Sequence, residues 1–141
     1  MAAISMQNNK NLIKRIKDDY PEYTFKIGKK FSFRPPRTIC LGPDESSPFT
    51  ELLILHEVAH AVLGHRNFRT DIERLRMEVA AWEKARELAT EYGVDFDEEL
   101  AQNELDSYRD WLHKKSRCPS CGLTRFQDAD GYHCLRCENL K

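Results

Sequence analysis

The sequence predicts an α+β fold, in which helices pack on a short antiparallel sheet and a small cysteine-rich unit follows at the C-terminus. Three observations predict it. The stretch "YTFKIGKKFSF" (Tyr23 to Phe33) alternates apolar and polar residues around Gly28, the period of half-buried strands joined by a turn. Later segments carry apolar residues three and four apart, the period of helices. Four of the five cysteines fall into two C-x-x-C pairs near the end.

The elements follow in order. Asn11 to Asp19 reads as a short amphipathic helix with Leu12, Ile13 and Ile16 on one side, stopped by Pro21. Tyr23, Phe25 and Ile27 before Gly28, and Phe31 and Phe33 after it, predict a β-hairpin. "RPPR" breaks the pattern, and Thr38 to Leu41 adds one more short strand. "GPDESSPF" is a loop ending in a helix start, with Ser47 as N-cap and Pro48 at the first helical position. That helix runs to Leu63, with Gly64 as its stop. Thr70-Asp-Ile-Glu73 forms a capping box that opens a second helix. It carries Ile72, Leu75, Val79, Trp82 and Ala89 inward and ends near Gly93. A third helix spans about Asp97 to Lys114 and buries Ala101, Leu105, Tyr108 and Leu112. The polar link "KKSR" then separates a body, residues 1–115, from a tail, residues 116–141.

Composition narrows the function classes. With 141 residues, 40% hydrophobic and 32% charged, the chain suits one globular body with a small appendage. A net charge of -1 gives no global field for nucleic acid or membrane. The longest strongly apolar run, Leu52 to Leu55, is too short to span a bilayer, and Met1 to Lys10 lacks an apolar signal-peptide core. The expected location is the cytoplasm, with no membrane partner. Charge is unevenly placed: nine bases against three acids from Lys10 to Arg37, then thirteen acids against five bases from Asp71 to Asp110. Solvated helix faces account for this without a specific partner.

"LILHEVAHAVLGHRN" sets two histidines and a glutamate inside an apolar helix, where unpaired ionisable groups cost several kcal/mol (~2–7 for a polar group) unless paired or metal-bound. His56 and His60 lie four apart, so both imidazoles share one helix face and can direct ring nitrogens at one Zn²⁺. Glu57 sits at the edge of that face, placed to take a proton from the attacking water and pass it to a leaving amine. A catalytic zinc wants a third protein ligand. His65, five beyond His60 and past Gly64, suits a structural place at the helix end better. Glu78 borders the apolar stripe of the second helix through Leu75, Ala81 and Trp82, and is favoured over an ion pair with Arg74; Glu73 is the fallback.

"LLILHEVAHAVLGH" followed by "RMEVAAWEKARELATEYG" resembles the ImmA/IrrE-type metallopeptidases, from about Tyr23 to Gly93. The resemblance implies a small zincin-like domain with His56 and His60 as zinc ligands, Glu57 as base and Glu78 as third ligand. It also implies a protein substrate, a repressor-type DNA-binding protein of a phage or mobile element. The N-terminal helix-turn-helix found on some members is not evident here.

The second constellation is "CPSCG" with "YHCLRC". Cys118, Cys121, Cys134 and Cys137 form two knuckles twelve residues apart, the pattern of a closed structural Zn²⁺ site in a zinc ribbon. Gly122 permits the knuckle, and Asp128 to Gly131 supply a turn between two short strands. So small a tail has too little core to fold without its metal. Its six bases and three acids, from Lys114 to Lys141, are nearly offset by the roughly -2 of a zinc with four thiolates. Protein docking or a structural role is therefore expected of the ribbon, and direct nucleic-acid binding stays open. Cys40 reads as a small buried strand residue.

The expected function is zinc-dependent endopeptidase, with one catalytic and one structural zinc. A SprT-like protease also joins HE-x-x-H to a ribbon, but its third histidine falls four residues after the second, where this chain has Gly64. A non-catalytic adaptor binding protein or DNA through the ribbon is the other alternative; it has no need of Glu57.

Overall fold

The computed structural model describes residues 2–43 and 49–139. It is a mixed α+β fold. The elements are α1 (Ala2–Asp19), β1 (Thr24–Ile27), β2 (Ser32–Arg34), β3 (Thr38–Leu41), α2 (Phe49–Val62), α3 (Asp71–Tyr92), α4 (Glu98–Ser116), β4 (Phe126–Asp128), β5 (Gly131–His133) and α5 (Leu135–Asn139).

The sheet differs from expectation. β1 and β2 do not form a hairpin; both pair with β3, in the order β1-β3-β2, so the sheet is mixed rather than antiparallel. β1 runs parallel to β3, Thr24 opposite Thr38, and β2 runs antiparallel to it, Phe33 opposite Ile39. The physical reason lies in burial. Thr38 to Leu41 is the most apolar of the three strands, with Ile39 and Cys40 buried, and so takes the centre. The strands carrying Lys26 and Arg34 keep the edges, where charged side chains reach water. Alternation identifies strands but says nothing about which neighbour each one takes.

α1 begins well before Asn11, because periodicity marks only the turns that pack, Leu12 and Ile16. The expected caps Ser47 and Pro48 lie outside the described residues. Beyond α2, Gly64 takes a left-handed φ of +69°, and His65 N–H returns to the His60 carbonyl at 3.0 Å. Thr70 caps α3, its hydroxyl accepting from Glu73 N–H, while the Glu73 carboxylate accepts from Arg69 N–H, one residue outside a standard capping box. Ile72, expected in the core, is 51% exposed, because the buried apolar stripe of α3 starts only at Ala81.

The core forms where α2 packs on α3. Leu52, Leu55, Val58 and Ala59 meet Ala81, Trp82, Ala85 and Leu88, with Leu12 and Ile16 of α1, Ile39 of β3 and Leu105 of α4 completing it. Small residues at 81, 85 and 89 let the two helices approach closely. That close approach sets the geometry of the site.

In the tail, β4 and β5 pair antiparallel around the turn at 128–131, as expected. The tail docks on the first turn of α3. Asp71 N–H donates to Gln127 Oε1 at 2.7 Å, and the Asp71 carboxylate accepts from Tyr132 hydroxyl at 2.6 Å and contacts Lys115 Nζ at 2.9 Å. Burial alone would raise the Asp71 carboxyl, but Tyr132, Lys115 and the charge of Arg74 hold it below its ordinary value.

Candidate metal centre

α2 is apolar on every side in its middle, so His56, Glu57 and His60 are buried with it. His56 stacks on Trp82, ring centroids 4.2 Å apart, and Phe33 of β2 lies parallel to His60 at 6.4 Å. The imidazoles are thereby fixed with their Nε2 atoms 3.2 Å apart. α3 crosses opposite and delivers Glu78, one turn before Trp82. Its Oε2 lies 2.9 Å from His56 Nε2 and its Oε1 3.3 Å from His60 Nε2. Of the candidates for third ligand, the structure brings Glu78 to the histidines; Glu73 is instead held by Thr70 and Arg69 at the helix start.

The contacts look like ligands gathered around a point. Glu78 Oε2 is buried and lacks a satisfying hydrogen bond, although an imidazole nitrogen is close. With a proton on each Nε2 both rings can donate to Glu78, but the two nitrogens, 3.2 Å apart, then face each other donor to donor. A metal ion accepts all three lone pairs. Burial works against the charged Glu78, yet its contacts with His56 and His60 hold the carboxyl far below the ordinary range.

Glu57 is 9% exposed and points into the same cavity, about 490 Å³ in volume, as the triad. Burial pushes its carboxyl up; His56 and His60 oppose this and Glu78 adds to it. Tyr108, from α4, lines the cavity too. Its hydroxyl is raised first by burial and then by the charge of Glu78, with Arg74 opposing. Tyr92 and His113 lie elsewhere: Tyr92 donates to the Asp19 carboxylate at 2.6 Å, and His113 is exposed on α4 outside the cavity.

Sequence reasoning missed the role of His65. Its Nδ1 lies 2.8 Å from His60 Nδ1, where it holds the ring nitrogen that does not face Glu78. Outer partners of this kind fix a ligand's tautomer and orientation. The signal available was Gly64, whose turn folds the chain back over the last turn of α2. His56 Nδ1 is buried with no hydrogen-bond partner among the described residues, and the Trp82 stack orients that ring instead.

The second cluster is in the tail. Cys118 Sγ lies 3.7 Å from Cys137 Sγ, and Cys121 Sγ 3.6 Å from Cys134 Sγ, with all four thiols free of disulfides. Backbone N–H groups of Cys121 and Ser120 pull the Cys118 thiol down, favouring its thiolate. Gly122, at φ +78°, closes the knuckle with its N–H on the Cys118 carbonyl at 2.8 Å. All four cysteines named from the sequence are brought together, as are His56, His60 and Glu78; either group could hold a metal ion. A larger cavity of about 1420 Å³, between α1 and the 93–99 segment, contains none of these groups.

No known protein family, curated protein or solved structure matches the chain.

Proposed function

We propose that the protein is a zinc-dependent endopeptidase, with His56, His60 and Glu78 holding a catalytic zinc and Glu57 acting as general base. The observation that carries this reading is the convergence of the two Nε2 atoms and the Glu78 carboxylate, with contacts of 2.9 to 3.3 Å, beside the buried Glu57. The spacing supports zinc in particular. Nitrogen and oxygen ligands about 2.0–2.1 Å from a tetrahedral Zn²⁺ lie about 3.3 Å apart, and thiolates at about 2.3 Å lie about 3.8 Å apart. The distances in both clusters sit near those values, which supports a second, closed zinc in the ribbon.

When bound, zinc supplies a Lewis acid that polarises the peptide carbonyl and makes water nucleophilic near neutral pH. The chain's own residues do the rest. Glu57 takes a proton from the attacking water and delivers it to the departing amine. Tyr108, a hydroxyl donor on the cavity wall, is placed to stabilise negative charge developing on the carbonyl oxygen. β2 is an edge strand whose Ser32 and Phe33 line the cavity. An extended substrate can pair along that edge and be carried across Glu57. The likeness of the α2 and α3 sequences to ImmA/IrrE-type peptidases makes a repressor-type regulatory protein the proposed substrate.

The test combines zinc content with hydrolysis of an unfolded protein substrate by wild type and Glu57→Gln. Wild type is expected to bind zinc and cleave, and Glu57→Gln to bind zinc without cleaving. Equal turnover in both rules out Glu57 as the base, and zinc binding without cleavage by either returns the chain to a zinc-binding adaptor.

A further inference from the structure

Two hollows meet beside the candidate metal centre. The cavity of about 490 Å³ over the triad and a second of about 280 Å³ share Arg74 and Tyr108 as a common wall, with Ser107 and Trp111 closing the smaller one. Arg74 is unusual in its surroundings. Its guanidinium carbon lies 5.5 Å from the Phe68 ring centroid, 5.3 Å from Tyr108 and 5.1 Å from Trp111. Three rings hold the side chain in place, and none neutralises its charge. Asp71, an acid on which Arg74 acts, is already engaged by Lys115 and Tyr132, while Glu57 and Glu78 share the cavity lining with Arg74 and the Tyr108 hydroxyl is its hydrogen-bond partner. Among the described residues Arg74 forms no ion pair.

The rest of the charge lining points the same way. Apart from Glu57 and Glu78, the charged residues around the larger cavity are Lys30, Arg66 and Arg74, all basic. A divalent ion would offset the two glutamates, leaving a cleft with net positive walls.

We infer that the hollow walled by Arg74, Ser107, Tyr108 and Trp111 is a substrate subsite for an aspartate or glutamate side chain close to the scissile bond. The inference rests on the peptidase reading for the word substrate; the anion site itself rests on Arg74. A carboxylate entering the hollow meets a planar fork, flanked by three rings, that can donate two parallel hydrogen bonds. The rings beside it cover the methylene stem. A basic side chain there sets like charges together, and a neutral one leaves the half-buried guanidinium without a counter-charge. The stacking also means that little side-chain entropy is lost on binding, since the fork is already held.

The experiment maps cleavage sites by mass spectrometry, using zinc-loaded protein and a peptide library prepared from a whole proteome. Asp or Glu is expected to be enriched at one fixed position near the cut. Arg74→Gln should slow cleavage at those sites by at least about tenfold, the loss of one charged hydrogen-bond pair, and Arg74→Glu should shift the preference to Lys or Arg. Zinc content and Tm of each variant separate folding from recognition. If neither folds, Arg74→Lys decides, since it keeps the charge and loses the fork: a weakened preference supports the subsite, and an unchanged one overturns it. Cleavage without acid preference, or with a preference that Arg74→Gln leaves intact, overturns the subsite while the peptidase reading stands. Absence of all cleavage removes the peptidase reading, and a binding measurement then judges the anion site. A fluorescent ten-residue peptide with a central Glu should bind more tightly than its Gln twin, and only when Arg74 is present; equal binding overturns the inference.

Discussion

Glu78 Oε2 of α3 lies 2.9 Å from His56 Nε2 of α2, and this contact ties together the two helices that build the core. A metal held by these residues would therefore be coupled to helix packing through one carboxylate. Glu78→Gln should lower zinc affinity and activity together, with partial rescue by added zinc, because an amide oxygen is a poorer ligand than a carboxylate. Glu57→Gln should keep its zinc and lose about 10²–10⁴-fold in turnover, the usual worth of a general base. Equilibrium dialysis with zinc alongside turnover measurements separates the two; a Glu78→Gln protein with wild-type zinc affinity removes it from the ligand set.

His65 makes a sharper case than its sequence position allowed. Read as a helix-end residue, its loss should cost only some stability. With its Nδ1 at 2.8 Å from His60 Nδ1, the expected effect falls on the metal. His65→Ala should weaken zinc binding at this site about 10–100-fold, the range typical of an outer partner of a ligand. Burial and the neighbouring His60 keep His65 itself below the ordinary histidine value, hence neutral. Zinc titration of the variant, followed by competition with a chelator, reads the effect; an unchanged affinity restores the purely structural account.

These two cases show what the sequence made legible. His56 and His60 were evident because helix geometry alone sets residues four apart on one face, and the four cysteines because their spacing is local. Glu78 could be favoured but not placed, since its partner is 22 residues away on another helix. Arg74 reads as a possible ion-pair partner for Glu78, yet it turns to Phe68, just ahead of α3, and to Tyr108 and Trp111, which only the packing of α4 brings near. The hairpin failed for a related reason. Alternation fixes a strand's faces, while the choice of β3 as common partner depends on which strand the helices bury.

The two metal clusters should differ in lability. The four cysteine sulfurs would enclose an ion on all sides, whereas the histidine centre opens onto a cavity. The purified protein is expected to hold two zinc ions, one removed by mild chelation with the fold retained. Replacing Cys134 and Cys137 by Ser should release the other and unfold the tail, while Leu52, Val58, Trp82 and their neighbours keep the body folded. Zinc analysis before and after dialysis checks this, and a single zinc per chain after expression in zinc-replete cells contradicts it.

The dock between ribbon and body is testable through pH. Tyr132 donates to the buried Asp71 at 2.6 Å, and burial followed by that hydrogen bond pushes the tyrosine from 10.0 up to about 12. A group whose folded value is raised contributes stability that is complete below its unfolded value and vanishes as pH climbs through the folded one. The Tyr132 contribution should thus be intact up to pH 10 and lost by about pH 12. Asp71 behaves in the opposite sense. Its folded value lies below the ordinary 3.8, so its contribution is present above that pH and fades only in stronger acid. Between these limits Tyr132→Phe should cost about 1–3 kcal/mol, since it leaves a buried carboxylate short of one donor while Lys115 remains. The stability difference between wild type and Tyr132→Phe, measured by urea unfolding with zinc present, should hold steady from pH 6 to about 9 and shrink as pH rises towards 12. A difference that persists undiminished at pH 12 means the hydroxyl is not what joins the ribbon to α3.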